Sequence, residues 1–209
     1  MHGVFDSPSV YRNRCPLRQD IAWALLGANY TSGIDAKEQI RITKHFIHPR
    51  FDEKTKEFDF AVHQLETPSQ QTPVRVDWDD DIFTAPNTKA WIRGYGDTKL
   101  DGKRSETLLQ TQVTIWPTST CNDALREVDA ATMLCAGGKN QDTCHGDSGG
   151  PLTVMINNHE ELAGLTSWGL GCAKQGYPGV YARLSVAKNF VESIVASPDV
   201  QCTNRPSLA

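Results

Sequence analysis

The strongest constraint on this chain is a rhythm of short apolar stretches. IAWALLGA (21–28), EQIRITKHFI (38–47), DFAVHQL (59–65), KAWIRGYG (89–96), TLLQTQVTI (107–115), GGPLTVMI (149–156), ELAGLTSWG (161–169) and PGVYARL (178–184) are set apart by clusters of Gly, Pro, Asn and Asp. Runs of this length between turn-forming residues fit strands, and many of them in succession fit a sandwich or barrels. The last segment breaks the rhythm. LSVAKNFVESIVAS places Val186, Phe190, Val191, Ile194 and Val195 on one face at helical spacing, with Ser185 able to cap its start and Pro198 beyond its end. The expected architecture is therefore all-β, closed by one C-terminal α-helix. Residues 1–20 carry no alternating apolar pattern and are expected to lack regular structure; residues 197–209 read as a tail.

Composition excludes several functions. A net charge of −4 over 209 residues argues against nucleic-acid and anionic-membrane partners, which require a basic face. No apolar run approaches the roughly 20 residues that cross a bilayer. Six cysteines (Cys15, Cys121, Cys135, Cys144, Cys172, Cys202) include no C-x-x-C pair and no histidine at zinc-finger distance, so disulfides are expected and a metal is not. Asn29-Tyr30-Thr31 is a glycosylation sequon. Disulfides and sequon imply secretion, whereas MHGVFDSPSV contains no apolar export segment, so the natural start of the protein is expected to differ.

The chemistry lies in DTCHGDSGGPL, Asp142 to Leu152. A serine flanked by glycines on a tight turn leaves room for a substrate carbonyl, and the N–H groups of Gly146 and Ser148 can meet a developing oxyanion. The alternative for such a stretch is a plain Gly-rich surface turn.

The segment resembles the nucleophile motif of the chymotrypsin family of serine proteases, in its trypsin-like branch, and the flanking matches run in family order over roughly residues 24 to 196. The resemblance implies two antiparallel six-stranded-type β-barrels. The first, 21–76, is expected to be incomplete. The second spans 88–184 and a helix spans 185–196, all within one peptidase domain from 21 to 196. It makes Ser148 the nucleophile, with Gly146 and Ser148 as the oxyanion hole. DFAVHQL puts Asp59 at the triad aspartate. SWG (Ser167, Trp168, Gly169) and PGVY, which contains Gly179, match the walls of the specificity pocket. WIRGYG matches a family strand, with Tyr95 in place of its usual Trp. Asp142, six residues before the serine, matches the position that selects Arg or Lys by charge, with Gly169 and Gly179 leaving the entrance open. The alternative for Asp142 is a solvated loop carboxylate. The implied bridges are Cys121–Cys135 and Cys144–Cys172, which leaves Cys15 and Cys202 near the ends.

Two family elements have no match. Nothing before Asp59 resembles the T-A-A-H-C segment that carries the catalytic histidine. If Cys15 stands for its cysteine, Arg14 takes the histidine position, and a guanidinium stays protonated and cannot act as a base. His45 and His48 lie in KHFIHP, a structural stretch of the family. His63 follows Asp59 on a strand, His145 borders the oxyanion turn, and His2 and His159 lie in polar surroundings. The family's I-V-G-G-like N-terminus is also absent. Its ammonium pairs with the aspartate before the serine, here Asp147, which is expected to stand as an unpaired buried carboxylate.

The sequence therefore predicts a trypsin-like serine endopeptidase by family that is inert in this form, needing no cofactor and facing Arg- or Lys-bearing proteins or peptides. TMLCAGGKNQDTCHGDSGGPLTV also resembles secreted trypsin-like proteins of oomycete plant pathogens. That group includes glucanase inhibitor proteins, protease homologues with broken triads that bind host endoglucanases. The alternative expectation is accordingly a secreted non-catalytic homologue that binds a host protein.

Overall fold

A computed structural model describes residues 3–6, 22–76, 78 and 81–197, with 3–6 described as backbone only. Arg14, Cys15 and Cys202 lie outside the described residues.

Each of the eight apolar stretches contains a strand. The first unit is a four-stranded antiparallel sheet of β1 (Gly3–Asp6), β2 (Trp23–Leu26), β3 (Glu38–Ile47) and β4 (Ala61–Leu65), in the spatial order β1-β4-β3-β2. β2 pairs with the start of β3 (Trp23↔Arg41, Leu26↔Glu38), while β4 pairs with its end (Phe46↔Val62, Ile47↔Ala61). β3 thus serves two partners because its ten residues outrun either neighbour. β1 corrects the expectation that residues 1–20 lack regular structure: Gly3 to Asp6 pair with Gln64 to Ala61. Four residues are too few for a pattern to show, and β4 supplies the hydrogen-bonding edge that orders them.

The second unit contains β6 (Lys89–Gly94), β7 (Leu109–Thr114), β8 (Met133–Ala136), β9 (Pro151–Ile156), β10 (His159–Trp168) and β11 (Gly179–Arg183), in the order β7-β6-β9-β10-β11-β8. The two ends of this order meet. An antiparallel bridge joins Ile115 to Ala136, and the N–H groups of Trp116 and Gly137 donate to the carbonyls of Cys135 and Thr114 at 2.8 and 3.2 Å. The six strands therefore close into a barrel, which removes the exposed edges. Ala90, Ile92, Val113, Ile115, Leu134, Leu152, Val154 and Tyr181 fill its interior.

A short strand, β5 (Arg75–Val76), lies on the link between the units and pairs in parallel with Glu161–Leu162 of β10. An eight-residue helix, α1 (Thr118–Leu125), interrupts the second unit; it buries Cys121 and Leu125, one turn apart. The closing helix α2 (Lys188–Val195) is entered through a 3-10 turn, Leu184–Ala187. That turn replaces the expected Ser185 cap: the residue preceding α2 is Ala187, and no side chain caps it.

One apolar cluster joins the units: Phe58, Phe60 and Val62 of the first pack with Leu162, Leu165, Ala182 and Leu184 of the second and with Val191 and Ile194 of α2. At about 25 cal/mol per Å² of apolar area removed from water, such a seam contributes many kcal/mol and fixes the cleft above it. Two disulfides, Cys121–Cys135 and Cys144–Cys172, close loops separated by 14 and 28 residues.

Candidate active site

Ser148 sits on the tight turn leading into β9. The N–H of Asp147 donates to the Cys144 carbonyl at 3.0 Å, that of Gly149 to Thr166 at 2.9 Å and that of Gly150 to Asp147 at 2.8 Å. The N–H groups of Gly146 and Ser148 take no protein acceptor among the described residues. The donors on either side of Asp147 are thus left open, the arrangement that an oxyanion hole would need. Gly146 holds φ at +96°, a left-handed conformation that favours glycine, and a methyl built there would meet the Arg104 guanidinium at 3.1 Å.

Asp147 locks the turn from beneath. Its Oδ1 accepts the N–H of Gly96 at 2.7 Å and its Oδ2 that of Cys144 at 2.8 Å. This corrects the expectation of an unpaired carboxylate, because two backbone donors satisfy the charge. Gly94 and Gly96 make it possible: a methyl on either would collide with the Asp147 carboxylate.

Asp59 is fully buried ahead of β4, and its Oδ2 accepts a 2.6 Å hydrogen bond from the Ser167 hydroxyl of β10. Thr166, next to Ser167, holds Gly149 and Gly150 through its carbonyl and N–H. Two consecutive residues of β10 thereby tie Asp59 of the first unit and the Ser148 turn of the second to one strand. The histidines do not complete the set. His48 is buried between Phe58 (ring centroids 4.7 Å apart, stacked) and Phe190, a structural role. Burial, and then the Arg50 charge, lower its pKa and keep it neutral. His145 is exposed on the rim, its Nδ1 3.8 Å from Asp97. His45 and His63 bond each other. Among the described residues the Ser148 hydroxyl has no hydrogen-bond partner, histidine or other.

Asp142 is half-buried behind the same turn. Its Oδ1 accepts the Thr143 N–H at 2.9 Å and its Oδ2 that of Ala173 at 3.2 Å. Burial pushes its pKa up to about 6 against these hydrogen bonds. Tyr181, fully buried, has its phenol pushed upward by burial and by the neighbouring Asp142 charge. Gly179 faces the carboxylate so closely that a methyl there would lie 2.6 Å from Oδ1, whereas one on Gly169 would sit at an ordinary 3.7 Å from the Gly179 Cα. The two glycines are neighbours across the β10–β11 ladder, beyond the Trp168↔Val180 pair, and put no side chain of their own over Asp142. Trp168 packs on the cluster formed by Cys121, Cys135 and Val180. The Cys144–Cys172 bridge ties the Ser148 turn to the loop carrying Ala173. Cys144, His145 and Cys172 converge, but both sulfurs are committed to that bridge and offer no thiolate to a metal.

The roles of Gly94, Gly96 and Arg104 escaped the sequence reading. The glycines could have been flagged by the G-Y-G triplet; no signal in the sequence marks Arg104.

An all-β pair of antiparallel units with a serine turn at their junction and a short closing helix defines the chymotrypsin-like two-barrel class. The chain belongs to the trypsin family, whose model, described as "Trypsin", matches residues 12–191. The match starts earlier than the expected residue 24 and includes Arg14 and Cys15. The chain is 41% identical over 146 residues to a trypsin of Saccharopolyspora erythraea, covering 69% of this chain and 63% of that protein. It is 36% identical over 177 residues to glucanase inhibitor protein 3 of Phytophthora infestans, covering 82% and 67% respectively. It is also 36% identical over 198 residues to serine protease 56 of Mus musculus, covering 90% of this chain but 32% of that protein.

Proposed function

We propose that the chain retains the recognition half of a trypsin-like serine endopeptidase and lacks turnover. It takes Arg or Lys side chains of proteins or peptides against Asp142 and receives the adjacent carbonyl at Gly146 and Ser148. The observation that carries this reading is the turn itself, where the N–H groups of Gly146 and Ser148 have no protein acceptor while Asp147 holds the turn from behind. Inertness follows from the base. If Cys15 stands for the family's cysteine, Arg14 takes the histidine position and cannot take a proton, and no described histidine meets Ser148. Losing the histidine of a serine-protease triad costs roughly a million-fold in turnover, about 8 kcal/mol of barrier. The test is paired. Purified chain should bind benzamidine in an Asp142-dependent way, yet cleave no Arg or Lys p-nitroanilide and react slowly with an organophosphate at Ser148. Robust cleavage would overturn the reading.

A second reading is favoured by the likeness to a glucanase inhibitor protein. In it the scaffold acts as a secreted, non-catalytic binder of a host protein such as an endoglucanase, with a part in virulence. Titration with a plant endoglucanase would test it. Two disulfides and an exposed Asn29 in its sequon support an oxidising, glycosylating compartment for either reading.

A further inference from the structure

His45 and His63 lie directly opposite each other on β3 and β4 and do not take part in the chemistry above. Their Nδ1 atoms are 2.8 Å apart, and their rings meet edge to face with centroids 4.7 Å apart. At that distance the two nitrogens share one proton at most, so at least one presents a lone pair to the other. The separation also has a second meaning. Two imidazole nitrogens bound to one ion at 2.0–2.1 Å lie about 2.9 Å apart when they subtend a right angle, and about 3.3 Å apart when they subtend a tetrahedral one.

We propose that His45 and His63 form a cross-strand chelate for a divalent transition-metal ion of tetragonal preference, Cu²⁺ before Ni²⁺, with both Nδ1 atoms as cis ligands. His63 is buried and held within the sheet between β3 and β1, which fixes one ligand. His45 is exposed, so the remaining coordination positions open to water. Binding requires the histidine that donates at Nδ1 to carry its proton at Nε2 instead; the neutral pair gains two N–metal bonds and releases no net proton. The order Cu²⁺ over Ni²⁺ over tetrahedral Zn²⁺ follows from geometry and from the general affinity series. The ion would pin β3 to β4 four residues beyond Asp59, stiffening the open sheet of the first unit.

The experiment is titration of the full chain with CuCl2, followed by calorimetry and by electron paramagnetic resonance. One equivalent should bind with an axial Cu²⁺ signal split by two nitrogens, and it should raise the melting temperature. His45→Asn, at an exposed position that the fold tolerates, should weaken this site about a hundredfold or more, with the far-ultraviolet spectrum unchanged. His63→Gln should do the same, and His145→Gln should leave the site intact. The proposal is overturned if the one-equivalent site survives His45→Asn, if it disappears in His2→Gln instead, which would move it to the chain terminus, or if no stoichiometric binding occurs.

Discussion

Replacing Asp142 by Asn removes a carboxylate that the fold holds at a cost. Its pKa stands near 6 against an ordinary 3.8 because burial disfavours the charge more than the backbone N–H groups of Thr143, Ala173 and Gly179 favour it. The folded state therefore binds this proton more tightly than the unfolded chain does. Below about pH 4 the carboxyl is protonated in both states and costs nothing. Between about pH 4 and 6 the unfolded chain ionises first and stability falls; above about pH 6 the loss is complete. At about 1.4 kcal/mol per pH unit the full penalty is roughly 3 kcal/mol. An amide in the same place turns its NH2 toward one of the backbone donors, which takes back about 1 kcal/mol. Asp142→Asn should thus stabilise the chain by about 2 kcal/mol at pH 8, a rise of roughly 4–8 °C in melting temperature for a chain of this size, and should destabilise it by up to about 1 kcal/mol at low pH, where only the amide's lost hydrogen bond remains. Thermal melts of both proteins from pH 4 to 8 give the result directly. Equal melting curves at pH 8, or a stabilisation by Asn that persists at pH 4, would refute the claim that desolvation of Asp142 governs this pocket. The same variant should lose benzamidine binding, since the stored cost is what a bound cation relieves.

Gly179→Ala should destabilise the fold by about 1–3 kcal/mol, because its methyl would lie 2.6 Å from the Asp142 Oδ1, and it should abolish benzamidine binding while Gly169→Ala is milder; calorimetric titration of the pair checks the contrast. Asp147→Ala strips two charge-assisted hydrogen bonds from Gly96 and Cys144 and should cost about 3 kcal/mol or more in urea unfolding, with faster proteolytic nicking of the 143–150 turn.

Much of the fold was legible because the signals were local. All eight apolar stretches contain strands, and the face formed by Val191 and Ile194 is the one that α2 buries. What escaped was set by partners. β1 is four residues long and exists through its pairing with β4, and β5 is two residues held by β10. α1 buries only Cys121 and Leu125, so its amphipathic stripe is too narrow to read. The site divided in the same way. Ser148, Gly146 and Asp142 fall within seven residues and announce themselves, whereas Asp59 finds Ser167 across 108 residues. The resemblance named both residues in separate roles, and neither it nor any pattern in the chain joined them. The expectation for Asp147 failed because a carboxylate was assumed to need a cation, when two backbone N–H groups from separate loops suffice.

The link between the units has a mechanical consequence. Arg75 and Val76 do not hang as a tether; they are stitched in parallel beside Glu161 and Leu162, on the strand that ends in Thr166, Ser167 and Trp168. A hinge at that link would have to unzip β10 from its margin, and β10 carries both the bond to Asp59 and the bonds to the Ser148 turn. Tension applied across the two units is thus delivered first to the junction that holds Asp59 and the Ser148 turn. Opening of the cleft at that link and loss of the site's alignment are thereby coupled through one strand.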